Sequence, residues 1–585
     1  MADTTVLDTP TAPPEPPGVR NTLGGALRHS PGRALTVLVF SIASAVAAVA
    51  LPAVLGRTVD RLLARSPEAP QQVTLCIVLI CVEVGGDSVV ALAGGGLTSR
   101  STAWLRRLGT IRLVSAFPHQ VAERFAPGDT TTRLTANAAG AAAAPTTVVG
   151  AFAALLTPVG ALVALALLDW PLALVFAAGL PLLALFLRGF TRTSSDSVGR
   201  YQGVQADMAQ RLMESLAGAR TIAAAGTTRR ERDRVLAPLP ELDAQGRRMW
   251  RVYGQAMASS SILVPLLITA VLAVAGLRLA AGAITVGALL AAARYASLAA
   301  GLGAITGQIN SLVNSRTAAT RVIDLLTLPA ARSGQRALPE GGPGHLELRQ
   351  VTVLRSGTPV LRTVDLDVPG GATMALVGRS GSGKSALAAV AGRLRDPDGG
   401  HVLLDGVPLT EADPADLRRE IGYAFERPHL FGTTIGDALA FGPRTPRAED
   451  IEDAARAAAA DQFIERLPHS YAAPLAHTPL SGGELQRLGL ARAFSHAGRL
   501  LILDDATSSL DSVTEHRVGR ALVHHVSPGT RLLVAHRVSS AARADLVAWL
   551  DDGRVRAVAP HHALWDDPDY RAVFAAPDTD VEAAG

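Results

Sequence analysis

Hydrophobic and polar positions change their rhythm along this chain near Leu326. Upstream, long apolar runs alternate with arginine-rich stretches; downstream, short apolar runs alternate with amphipathic ones. A run of about 20 apolar residues crosses a bilayer as a helix. Six segments qualify: Ala34 to Leu55, Val73 to Leu97, Thr146 to Leu168, Pro171 to Leu187, Ala256 to Leu277 and Ile284 to Ile305. An even number of crossings puts both chain ends on one side. The stretches 98–145 and 188–255 keep helical periodicity and carry "WLRRLG" and "TTRRERDR", so they read as helices extended beyond the membrane. Arginine excess marks them as cytoplasmic, although Arg57, Arg61 and Arg65 fall on the opposite side.

The resulting division is a tail over 1–32, a transmembrane domain over 33–326, a linker over 327–345, a second domain over 346–575 and a tail over 576–585. The Pro-rich start "TPTAPPEPPG" is too polar for a signal peptide and reads as disordered. The linker "TLPAARSGQRALPEGGPGH" is rich in Pro and Gly. Beyond it, the runs "ATMALVG", "LLILDD" and "RLLVAHR" alternate with helical patterns, the signature of an α/β domain with a largely parallel sheet.

Composition agrees with a membrane part: 48% of residues are hydrophobic, 18% are charged and mean hydropathy is +0.26. The net charge of +4 does not imply nucleic acid, since arginines gather wherever a membrane protein faces cytoplasm. The two cysteines, Cys76 and Cys81, lie in one apolar run and read as buried small hydrophobes rather than as a disulfide framework.

Charge becomes informative at one residue. Of 55 Lys plus Arg, a single one is lysine, Lys384, in "ALVGRSGSGKSALAAV". Gly378, Arg379, Ser380, Gly381, Ser382, Gly383, Lys384 and Ser385 spell G-x-x-x-x-G-K-S between a strand and a helix, a phosphate-binding loop. The glycines let backbone N–H groups curl around phosphate, and Ser385 offers its hydroxyl to magnesium. A compact ammonium on a flexible stem reaches the outer phosphates, where a guanidinium fork is too wide. Asp504, closing the strand "LLILDD", is placed for magnesium. Leu480, Ser481, Gly482, Gly483 and Glu484 open a further helix, whose N–H groups form a second anion cradle.

Together these motifs resemble the ABC exporter family, in which six membrane helices are fused to one nucleotide-binding domain. In the family's terms Gly378 to Ser385 is Walker A, Leu480 to Glu484 the signature, Leu500 to Asp504 Walker B, Ser509 to Asp511 the D-loop and His536 the switch histidine. More loosely, "FAPGDTTTRLTAN" and "ESLAGARTIAAAG" resemble the intracellular loops that press coupling helices onto the ATPase domains. The implied architecture is an all-α six-helix transmembrane domain followed by an α/β P-loop ATPase domain with a helical signature subdomain. The implied ligands are ATP and Mg2+; the implied setting is the plasma membrane, with both termini cytoplasmic. A second half-transporter is the implied partner, because the signature of one chain closes over nucleotide held by the other.

The departures carry most of the specific reading. Asp505 stands where the family has a glutamate that polarises the attacking water, and it is one methylene shorter. Displacing a catalytic group by about 1 Å costs on the order of 100-fold, so a slow or silent site is expected. Glu426 replaces the Q-loop glutamine; it either weakens binding by adding an anion near magnesium or serves as a substitute base. Arg355 aligns with the aromatic residue that stacks on adenine, and a guanidinium also stacks on a base. The segment "YAAPLAHTPLSGG" lacks the stretch that contacts the partner's coupling helix. A poor base beside a sound signature resembles the degenerate half of a heterodimeric exporter. The alternatives are a homodimer hydrolysing ATP at both sites, an exporter-fold siderophore importer, and a regulatory subunit that transports nothing.

Substrate is read only faintly. Glu83 and Asp87 share one face of the second segment, and Arg294 lies in the sixth. The acids either bind a cationic substrate or line a water-filled cavity or pair with Arg294; Arg294 is either an anion contact or that partner. With both cysteines in the second segment, a leader-cleaving cysteine protease domain is not expected.

Overall fold

The computed structural model describes residues 30–301, 303–331, 334–524 and 529–575. The tails expected over 1–32 and 576–585 therefore lie almost wholly outside the described residues. The chain forms two compact units, one of membrane helices and one holding the C-terminal domain together with Val114–Arg124.

The helical unit is built from α1 (Pro31–Leu63), α2 (Ala69–Ser115), α4 (Ala144–Leu168), α5 (Trp170–Ala217), α6 (Leu239–Ala280), α7 (Val286–Ala300) and α8 (Gly303–Leu326), while the short α3 (Pro118–Arg124), between α2 and α4 in the chain, falls in the C-terminal unit. Among the described residues, four stretches are long and apolar enough to span a membrane, and Trp170–Pro181 and Val286–Ala300 are shorter apolar helices. α2 continues to Ser115 and α5 to Ala217, well past the apolar runs. Within the sixth segment α7 ends at Ala300 with Gly301 as its cap, and α8 is described from Gly303. Pro52, Pro158, Pro181 and Pro265 sit inside four of these helices. Such prolines persist where neighbouring helices and side chains take up the freed carbonyls.

Packing of α1 on α7 depends on two glycines. A Cβ on Gly56 or on Gly287 would run into the other's backbone carbonyl, so the helices touch backbone to backbone there. Asp60 locks the crossing, accepting from the Gly287 amide at 2.7 Å and the Thr285 hydroxyl at 2.6 Å. Asp169, at the turn between α4 and α5, pairs with Arg278 at 2.8 Å.

The C-terminal unit holds two sheets. One is antiparallel, in the order β2 (Thr358–Val368), β1 (Leu346–Arg355), β4 (Gly399–Leu404), β5 (Val407–Pro408). The other runs β10 (Arg554–Ala559), β9 (Leu546–Asp551), β3 (Thr373–Val377), β8 (Thr530–Val534), β7 (Leu500–Asp504), β6 (Ile421–Phe425), parallel except for β10. Residues 374–377 and 500–503 are wholly buried, which is why these strands read as continuous apolar runs. Helices α9 (Lys384–Ala391), α10 (Gly482–Ser495) and α11 (Ser512–His524) follow the three motifs.

Candidate nucleotide site and its family

Four functional loops leave the carboxyl ends of parallel strands, the edge where open α/β sheets bind ligands. β3 runs into the phosphate loop, β6 into Glu426, β7 into Asp504 and Asp505, and β8 into His536. Parallel register thus gathers residues more than 150 positions apart in the chain.

The loop is shaped to hold phosphate. Gly381 has φ +80° and Gly383 φ +101°, conformations that a Cβ strains. A Cβ on Gly378 would meet the Leu550 carbonyl and the Ser382 hydroxyl. The Ser382 hydroxyl is buried with no hydrogen-bond partner among the described residues, and Arg379, Ser380 and Gly381 are exposed around the rim. Lys384 is 6% exposed and donates to the Gly378 and Arg379 carbonyls at 2.8 and 2.9 Å. Burial lowers its pKa from the ordinary lysine range, opposed by Asp505 and then Asp504. These residues fit a polyphosphate.

Asp504, at the end of β7, keeps one carboxylate oxygen unused. Its Oδ1 is buried without a hydrogen-bond partner among the described residues, while Oδ2 accepts from Tyr423 at 3.1 Å. Burial raises its pKa above the usual carboxylate range. Ser385, the second residue of α9, is exposed. A hydroxyl and a carboxylate with an unused oxygen are the donor set magnesium takes. Tyr423 was not singled out from the sequence; it sits on β6, and only strand order places it beside β7.

Asp505 has φ +52°, a conformation that Asp adopts more readily than most residues. His536 lies alongside, its Nε2 2.8 Å from Oδ1 of Asp505. Glu426 is more than half exposed on its side chain and lies 3.7 Å from Arg427, while its backbone carbonyl faces inward to Gln486. Arg355 ends β1, exposed at a hairpin tip. Val360 and Leu361 of the following strand cover Gly383, so this hairpin lies over the phosphate loop.

The signature opens α10 with a reciprocal cap. The Ser481 amide and hydroxyl both donate to Glu484 at 2.8 Å, and the Glu484 amide donates back to Ser481 at 3.3 Å. Leu480 is half-buried beneath it, and a Cβ on Gly482 would meet only open space. Gln486, two residues on, is 3% exposed and was also missed from sequence. Its Nε2 donates to the Glu426 carbonyl and the Ser508 hydroxyl, and its Oε1 accepts from Ser509, each at 2.9 Å. One amide therefore ties the signature helix to the segments after β6 and β7. Its motif gives no signal of this, because all three partners are distant in the chain.

The membrane candidates are not brought together. Asp87 accepts from Ser44 at 2.5 Å, and Glu83 is half-buried on the same helix. Arg294 is exposed, and among the described residues no ion pair joins it to either acid. Cys76 is buried against Thr58, whereas Cys81 is exposed, so only the first is a core residue.

Comparison with known proteins accounts for this arrangement. Residues 35–301 match the ABC transporter transmembrane region and residues 361–508 the ABC transporter family. The ABC transporter ATP-binding protein RamA of Streptomyces coelicolor is 54% identical over 94% of this chain and 86% of its own length. The ATP-dependent lipid A-core flippase of Chromobacterium violaceum is 33% identical over 68% of this chain and 69% of its own. A bacterial Atm1-family ABC exporter solved with ATP bound shares the fold at a TM-score of 0.74, 22% identity and 96% coverage of this chain and all of the other. With membrane and ATPase halves matched in that order on one polypeptide, the chain belongs to the ABC transporter family, as a membrane-spanning exporter-type half-transporter.

Proposed function

We propose that this chain is the degenerate-site half of a heterodimeric exporter in the plasma membrane, with both termini cytoplasmic, moving a small molecule, peptide or lipid outward. The observation that carries the reading is Asp505, a shortened acid at the water-activating position, beside a signature cradle whose cap is complete. Half-transporters of this family dimerise and bind ATP, so Ser481 to Glu484 would face nucleotide held by the partner. Gly378 to Ser385 would hold ATP on this chain, and Lys384 would turn from its carbonyls to the outer phosphates. Magnesium, where bound, neutralises charge on those phosphates; Ser385 and Asp504 would hold it. Closure over nucleotide would draw the membrane helices from inward- to outward-facing.

A second reading, a homodimer active at both sites, draws on the closeness of His536 to Asp505, which sets an imidazole beside the acid that would serve as general base. Magnesium-dependent ATP hydrolysis by the purified chain separates the two. The expected result is turnover at background level alone, rising with a partner half-transporter, and a gain with Asp505→Glu. Brisk turnover alone that Lys384→Ala abolishes would replace the heterodimer by the homodimer.

A further inference from the structure

Arg395 follows α9 with its side chain 15% exposed, between two features that the ATP site does not explain. On one side is the end of β1. The Leu354 amide donates to Asp398 Oδ2 at 2.7 Å, and the Leu354 carbonyl accepts from Arg395 Nη2. Arg395 and Asp398 pair with each other at 3.3 Å, so both polar groups of one peptide residue are clamped by one ion pair. Charge-assisted hydrogen bonds of this kind are about twice as strong as neutral ones. Arg355 comes next, then Ser356 at φ +49° and Gly357 at φ +83°, with Arg355 paired to Thr358 across the turn. This is the two-residue hairpin turn with both central residues left-handed, a stiff connection. Arg355 is thus held between a clamped neighbour and a rigid turn.

On the other side is α3, separated from the long membrane helix α2 by Ala116 and Phe117 only. Glu123 of α3 lies 3.8 Å from Arg395 Nη1. His119, one turn earlier, stacks on Phe117 with ring centroids 5.7 Å apart. Burial, and then Arg395, lower the His119 pKa, which favours the neutral imidazole there. α3 belongs with the ATPase unit, upstream of the "FAPGDTTTRLTAN" stretch that resembles an intracellular loop.

We propose that Arg395 is a positioning residue through which α3 sets the place of Arg355, so that movement at the end of α2 changes the grip on the nucleotide base. The proposal rests on Arg355 as the base-stacking residue. Moving α3 pulls Arg395 through Glu123, and Arg395 cannot shift without loosening the Leu354 carbonyl. The clamp holds the hairpin at Leu354 and Arg355, whereas the phosphate loop meets it at Val360 and Leu361 on the returning strand, so the effect falls mainly on the base.

Displacement of a ribose-labelled fluorescent ATP from the full-length chain in nanodiscs, by ATP and separately by magnesium tripolyphosphate, tests this. Arg355→Ala and Arg395→Gln are expected to weaken ATP about tenfold, the worth of one strong contact, and to leave tripolyphosphate within about twofold. Glu123→Gln, which leaves the Leu354 clamp in place, is expected to shift ATP alone by about threefold, and Arg395→Lys to recover part of the Arg395→Gln loss. If Arg355→Ala leaves ATP unchanged, the base-stacking reading fails and the proposal falls with it. Should Arg355→Ala act but Arg395→Gln or Glu123→Gln not, stacking stands and the relay is overturned. Parallel loss of ATP and tripolyphosphate in Arg395→Gln would mark Arg395 as merely structural and also overturn it.

Discussion

Gly383 turns the chain into α9 with φ +101°, and a Cβ there would come within 2.7 Å of Leu361 and 2.9 Å of the Val360 carbonyl. Gly383→Ala therefore meets backbone strain of about 1–3 kcal/mol as well as a clash with the hairpin that roofs the loop. ATP affinity is expected to fall more than about tenfold, with the sheet intact by circular dichroism. Unchanged affinity would mean that the hairpin yields freely. At this scale much of the site was legible, because phosphate chemistry requires glycines, a lysine and a hydroxyl in one short stretch. Tyr423, Gln486 and Arg395 were not legible, since each acts on a residue that only the fold brings near.

The signature helix shows what an element adds. Hydrogen bonds from the Ser481 amide, and then from its hydroxyl, lower the Glu484 pKa from its ordinary value of 4.5. A carboxyl depressed in the folded state stabilises it above the unfolded value, and that contribution fades as pH falls through the folded one. Amide exchange at 482–486, corrected for intrinsic rates, is expected to quicken from pH 6 to pH 3 in the native chain. Glu484→Gln keeps a capping side chain without the titration and should flatten that profile. An equally steep profile in Glu484→Gln would assign the acid sensitivity to another group. The membrane helices divide differently: apolar length predicted the spans and helical periodicity beyond residue 98 predicted the run of α2 to Ser115, whereas the turn at Gly301 falls inside a segment whose apolar run is continuous.

For the molecule as a whole, the close crossing of α1 on α7 is a point where one side chain is felt throughout the helical unit. Gly287→Val would push a branched side chain into the Gly56 carbonyl and toward Asp60, which holds the Gly287 amide and the Thr285 hydroxyl. Overpacking of this kind costs about 1–3 kcal/mol, so a lower unfolding temperature in detergent and a poorer folded yield are expected. A variant as stable as the parent would show that α7 moves away from α1 at little cost.

The amino-acid sequence by itself determined the division into membrane and ATPase halves, the phosphate loop, the signature and the shortened acid at Asp505, because bilayer thickness and phosphate binding each impose local patterns. Tertiary structure decided the rest. Strand order laid β6 beside β7 and so gave Asp504 its tyrosine; the parallel register set His536 against Asp505; and packing left Arg294 apart from Glu83 and Asp87 and set Cys81 outside the core. Contacts between distant residues depend on how elements stack, and no local pattern records that.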